Sequence, residues 1–237
     1  MTSESWIEQE RSALEAKHLL RRAAAAPASP GAGGRALDFS SNDYLNLARN
    51  PEVIEASRRA LETHGAGARA SRLVSGTLPV HEELERRLAA HKGYPAALLF
   101  GSGYLANAGL IPALAGRSDA VFADRLVHAS IIDAITLSRA RLERFHHQDA
   151  DHLEQLLSKT GGAGRRLVVT ESVFSMDGDT APLADIADIA ERHGAMLMVD
   201  EAHSTGVFGP RGEGLIVERG LASKVSFSMG TLSKALG

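Results

Sequence analysis

From residue 96 onward, short apolar runs alternate with stretches of helical spacing. The runs are ALLF at 97–100, AVFA at 120–123, LVVT at 167–170, MLMV at 196–199 and VSFSM at 225–229. Between several of them, 131–139, 152–159 and 183–193 repeat apolar residues at the helical period. Strands that are apolar on both faces need helices over both faces, so the rhythm predicts an α/β fold built on a mostly parallel sheet. Upstream, 51–64 and 78–91 also read as helices, joined by a Gly-, Ser- and Arg-containing loop at 65–76 whose composition favours anion contact. At the start, Trp6, Ile7, Leu14, Leu19 and Leu20 alternate with charges through Arg22, an amphipathic helix without the apolar centre of a secretory signal. AAAAPASPGAGGR at 23–35 reads as a linker. The expected organisation is a helical arm and linker over 1–36 and a large domain over 37–237.

Polar residues cluster behind the strand-like runs. Asp124 and His128, Glu171 and Ser175, Asp200 and His203, and Thr231 and Lys234 each follow a carboxyl end, the side on which open parallel sheets bind ligands. Loops are polar in general, which accounts for one such cluster better than for four in succession.

The balance of charge narrows the function. The 237 residues are 44% hydrophobic and 23% charged with a formal net charge of -3, so nothing electrostatic favours a nucleic acid or a membrane surface. The absence of cysteine excludes disulfides, thiolate metal sites and cysteine nucleophiles, and fits a cytoplasmic setting. The uncharged stretch at 93–116 is long enough to raise the question of a membrane span, but Gly101, Ser102, Gly103, Asn107, Gly109 and Pro112 interrupt it.

Gly101-Ser102-Gly103-Tyr104-Leu105-Ala106 follows an apolar run and opens a helix-like one, matching G-x-G-x-x-G/A. Small residues at a helix start let backbone amides approach a phosphate, although glycines here also serve simply to make the turn. Asp200-Glu201-Ala202-His203 resembles the acidic box of nucleotide-driven helicases, yet no G-x-x-x-x-G-K-[ST] loop precedes it. His81-Glu82 lacks the second histidine of a zinc hydrolase, and Asp177 and Asp179 lack the remainder of a calcium loop. His146, His147 and His152 read as a solvated polar face. A pyridoxal phosphate site uses the remaining residues together. Lys234 can condense with an aldehyde, Asp200 can keep a pyridine nitrogen protonated, and His128 and His203 can cover a ring or move protons.

SSNDYLNL at 40–47, FGSGYLAN at 100–107, DRLVHASIID at 124–133, TESVFSMDGDTAPL at 170–183, VDEAHSTGVFG at 199–209 and GTLSKALG at 230–237 resemble the α-oxoamine synthases, a family of fold type I pyridoxal phosphate enzymes. RFHHQDADHLEQLL at 144–157 favours the biotin-pathway branch. The resemblance implies that Lys234 carries the cofactor as a Schiff base, Asp200 pairs with its ring nitrogen and His128 stacks on its ring. It also places Ser175 and His203 near the phenolic oxygen, Gly103 and Tyr104 at the cofactor, Thr231 near the phosphate, and Arg21 or its neighbour Arg22 at the substrate. The implied reaction joins L-alanine to a pimeloyl thioester of coenzyme A or a carrier protein, with loss of the thiol and of carbon dioxide, in a homodimer. Glycine with another acyl-CoA is the related alternative, and a nicotinamide oxidoreductase leaves Lys234 unexplained. The family pattern further implies a last strand and a small domain beyond Gly237, without which the chain is an inactive fragment or pairs with a separate one.

Overall fold

A computed structural model describes residues 3–23, 38–162 and 164–237, which fall into two compact units, Met1–Ser41 and Asn42–Gly237. The expected boundary at 36–37 and most of the 23–35 linker lie outside the described residues. In the first unit, α1 spans Ser3–Ala16, shorter than the periodicity read through Arg22. His18 turns left-handed at φ 55° and the Leu19 amide bonds back to the Leu14 carbonyl at 2.8 Å, closing the helix end.

The second unit begins with α2 (Pro51–His64), capped by Asn50, whose side chain accepts the Glu52 amide at 2.8 Å. Then come α3 (Pro79–Lys92) and α4 (Gly103–Leu114), the latter capped by the Ser102 hydroxyl. The remaining order is β1 (Ala120–Asp124), α5 (Ala129–Ser138), β2 (Arg141–Phe145), α6 (Ala150–Lys159), β3 (Arg166–Glu171), α7 (Leu183–Arg192), β4 (Met196–Asp200), α8 (Leu215–Glu218) and β5 (Phe227–Met229). Five strands form one sheet in the order β2-β1-β3-β4-β5, and every neighbouring pair is parallel.

Two local readings change. ALLF at 97–100 is not a strand, because the Leu99 amide donates to the Glu85 carboxylate at 2.8 Å rather than to a ladder, and Leu98 and Phe100 are exposed. Conversely, β2 (RLERF) was hidden by its charges. It is an edge strand in which only Phe145 is buried, so polar side chains cost little there.

The core lies between the sheet and its helices, with Phe122, Val168 and Leu197 on strands and Leu153, Leu157 and Ile186 on helices all inaccessible to solvent. Truncating one of these leucines to alanine costs about 2–5 kcal/mol. Because the strands run in parallel, their carboxyl ends share one edge. The register sets Glu171 beside Asp200 and Asp200 beside Met229, just before the turn that bears Lys234.

Candidate active site

Lys234 is partly buried in the turn after β5, and its Nζ lies 2.8 Å from Nε2 of His203, which follows β4. Burial lowers the lysine pKa, while the negative charges of Asp200 and Glu171 oppose the shift. Burial likewise pushes His203 down to about 4, with Lys234 and His128 adding to the effect. A neutral ring that accepts from Lys234 at Nε2 carries its proton on Nδ1. That Nδ1 is 2.8 Å from the Tyr44 hydroxyl, which donates in turn to Asn42 Oδ1 at 3.1 Å. The lysine amine thus heads a one-directional chain of hydrogen bonds.

Asp200, at the end of β4, is only 4% exposed, yet among the described residues no cation pairs with it. Its Oδ1 accepts the Ala202 amide at 2.9 Å and its Oδ2 accepts Nδ2 of Asn107 at 3.2 Å. Burial raises its pKa, and those neutral donors together with the more distant Lys234 and His128 offset only part of that. Beside it Glu171 is held up at about 7, by burial first and by the Asp200 charge second. Glu171 Oε1 accepts the backbone amide of His128 at 2.5 Å. His128 caps α5, and its Nδ1 lies 3.2 Å from the Ser130 amide and 2.8 Å from the Ser130 hydroxyl. Ser130 Oγ also accepts from Asn107 Nδ2 at 2.9 Å.

Other expected residues are dispersed around this centre. Gly103 opens α4, and a Cβ built there would stand 3.9 Å from Thr231, so the helix start abuts the lysine-bearing turn. Thr231 Oγ1 is engaged with Ser233 Oγ at 2.8 Å. The Tyr104 hydroxyl donates to Asp133 at 3.0 Å, which turns that side chain toward α5. Ser175 is exposed in the loop after β3, and no hydrogen bond ties it to the cluster among the described residues. Arg21 belongs to the first unit. Asn107 and Ser130 had no assigned role in the sequence, although a lone amide within the apolar run of α4 requires a buried partner.

Three further groups prove structural. Glu201, adjacent to Asp200, is fully buried and bonded to Lys92 at 2.7 Å. Asp124 accepts the Leu126 and Gln148 amides at 2.8 and 2.9 Å and holds His147, whose other nitrogen meets Asp179. His146, Asp149 and His152 approach one another closely enough to invite a metal. However, His152 Nδ1 accepts the His146 amide at 3.0 Å, which leaves Nε2 protonated and without a lone pair for an ion.

A sequence profile for aminotransferase class I and II matches residues 35–237. The chain belongs to that family. It has the fold of type I pyridoxal phosphate enzymes, and pyridoxal phosphate is the cofactor of the family. The chain is 58% identical to an 8-amino-7-oxononanoate synthase from an Anaeromyxobacter species, over 98% of this chain and 59% of that protein. It is 54% identical to the Geobacter sulfurreducens enzyme of the same name, over 83% of this chain and 50% of that one. Among solved structures, a serine palmitoyltransferase from Sphingomonas wittichii superposes with a TM-score of 0.88 at 35% identity, covering 100% of this chain and 61% of the other. The Francisella tularensis 8-amino-7-oxononanoate synthase superposes at 0.70 with 34% identity, over 84% and 55%. The chain therefore spans about 59% of the length of the first of these relatives.

The residues fit the family's cofactor. A buried carboxylate whose donors among the described residues are neutral can pair with a cation such as a protonated ring nitrogen, and a lysine with depressed basicity lies in the turn after the neighbouring strand.

Proposed function

We propose that this chain carries the cofactor-binding part of an acyltransferase that condenses L-alanine with a pimeloyl thioester, yielding 8-amino-7-oxononanoate. The observation that carries the reading is the half-buried Lys234 amine at 2.8 Å from His203, on the same sheet edge as the Asp200 carboxylate, whose hydrogen-bond donors among the described residues are neutral. The names of its relatives support the product. Pyridoxal phosphate, when bound, supplies an aldehyde that takes up an amine and a ring that accepts electrons from a carbanion.

The chain's own residues divide the remaining work. Lys234, lowered in basicity by burial, would hold the cofactor through its amine, and the same Nζ is placed to take or return a substrate proton. His203 holds that amine in place and connects it through Tyr44 to Asn42, a route by which a proton at Nζ can leave. Asp200 sets a fixed negative charge against the ring nitrogen. The α4 start at Gly103, with Thr231 nearby, would hold the phosphate on backbone amides. By the same resemblance Ser175 and His203 would lie near the phenolic oxygen, Tyr104 would lie near the cofactor, His128 would cover the ring and contact substrate, and Arg21 or Arg22 would contact substrate, in a cytoplasmic homodimer.

Titration with pyridoxal phosphate tests the assignment. A visible absorbance band should appear, and borohydride reduction should fix the cofactor on Lys234, as read by peptide mass. Lys234→Ala should abolish both. An adduct on another lysine, or none, overturns the reading. Adding L-alanine should perturb the band more than glycine or L-serine. The serine palmitoyltransferase likeness makes serine the competitor that matters, and a preference for it would replace alanine in the proposal.

A further inference from the structure

Asn107 is 1% exposed, and its Oδ1 is buried without a hydrogen-bond partner while its Nδ2 serves two acceptors, Asp200 Oδ2 at 3.2 Å and Ser130 Oγ at 2.9 Å. An orphaned amide oxygen costs roughly 1–3 kcal/mol, so a reason is needed for this orientation over its flip. The reason is the charge of Asp200: the flipped amide would aim its oxygen at a carboxylate that only accepts. With the amide so fixed, the Ser130 oxygen receives a hydrogen from Asn107 and must turn its own elsewhere. The remaining acceptor is His128 Nδ1 at 2.8 Å, which also receives the Ser130 amide at 3.2 Å. His128 is thereby left with its proton on Nε2.

We infer that Asn107 and Ser130 are positioning residues that transmit the ionisation of Asp200 to His128, fixing the ring in its Nε2–H form. The two groups expected at the cofactor's ring nitrogen and over its ring are coupled through one buried amide and one hydroxyl. If Asp200 becomes protonated, it offers a hydrogen to Asn107 Oδ1. The amide then flips, Ser130 donates to that same oxygen, and His128 Nδ1 keeps only the longer bond from the Ser130 amide. The importance of the coupling for catalysis rests on the function proposed above, but the coupling itself is a property of the cofactor-free chain.

The test is nitrogen NMR of the chain labelled at histidine, with the His128 signals assigned by their loss in His128→Gln. The expected wild-type spectrum shows one tautomer, with an unprotonated Nδ1 and a protonated Nε2. Asn107→Ala and Ser130→Ala should each convert this to a mixture of tautomers, since only the longer backbone bond then reaches Nδ1. Ser130→Thr keeps the hydroxyl and should retain the wild-type pattern. If Asn107→Ala fails to fold by circular dichroism, the Ser130 pair decides alone. A wild-type Nδ1–H form, an unchanged tautomer in Ser130→Ala, or a threonine variant shifted as far as the alanine one overturns the inference. Pyridoxal phosphate titrated into the same samples separates the two ideas. A fixed tautomer without Lys234-dependent absorbance sustains the coupling and rejects the proposed function.

Discussion

Asp200 and Glu201 are consecutive acids in one sequence motif, yet they occupy opposite electrostatic situations. Glu201 is fully satisfied: Lys92 meets it at 2.7 Å, Ser228 at 3.2 Å, Ser204 at 3.1 Å and the Ile216 amide at 3.0 Å. Lys92 is tied down as well, donating to Thr205 at 2.8 Å. Gly214 crosses so near, at φ 112°, that a Cβ there would lie 2.4 Å from Glu201 Oε1. Asp200 has two neutral donors and no cation among the described residues. A buried charge completed by its own chain belongs to the scaffold, whereas one held only by neutral donors is a candidate to pair with a ligand's cation.

The sharpest way to break this contrast is Lys92→Met, which leaves Glu201 as a buried uncompensated charge. It should cost about 3–5 kcal/mol in urea unfolding, and a loss of well under 1 kcal/mol would move Glu201 out of the scaffold role. Asp200→Asn should behave in the opposite manner. Unfolding stability should hold or rise, since a cation-free buried charge is removed, while pyridoxal phosphate affinity falls by about 2–5 kcal/mol, a factor of roughly 30 or more. Equal effects on stability from the two variants would erase the distinction.

The third test is a pH profile. The folded pKa of Glu171 is raised to about 7 against an ordinary value of 4.5, so the folded state binds the extra proton between those values. Its contribution to stability is full below the ordinary value and is lost as pH rises toward 7, by an amount on the order of a few kcal/mol. Glu171→Gln should flatten that slope in thermal or urea unfolding, and an unchanged slope would place the titration elsewhere. His147 gives a smaller effect. Burial of its ring favours the neutral form, but the bonds to Asp179 and Asp124 at 3.0 Å outweigh this and raise its pKa. Its contribution is therefore present below the ordinary histidine value and lost as pH rises through the raised one. His147→Gln should remove about 1 kcal/mol at pH 6 and less at pH 9. The surface pair Arg192–Glu154, exposed on both sides, sets the floor: Arg192→Ala should change stability by no more than about 1 kcal/mol.

The strands buried on both faces were plain in the sequence because their side chains face helices on both sides, as in AVFAD of β1 and MLMVD of β4. RLERF escaped because an edge strand needs no such pattern, and ALLF misled because apolar residues also line irregular segments. Lys234, Asp200, His128 and His203 were nameable because they follow strand ends in recognisable motifs. Asn107, Ser130 and Tyr44 belonged to those same motifs but had no visible task.

The sequence by itself determined the parallel α/β architecture, the loops that face one edge, and the lysine, carboxylate and imidazoles available there. Local apolar periodicity and turn residues suffice for that, since they act over a few neighbours along the chain. Only the tertiary structure decided which of two adjacent acids is neutralised and which is left open, and which hydrogen-bond partners meet the ring nitrogens of His203 and His128. Those outcomes depend on donors from distant segments: Lys92 meets Glu201 across 109 residues of chain and Asn107 meets Asp200 across 93. Such donors have meaning only after burial has excluded water as the competing partner.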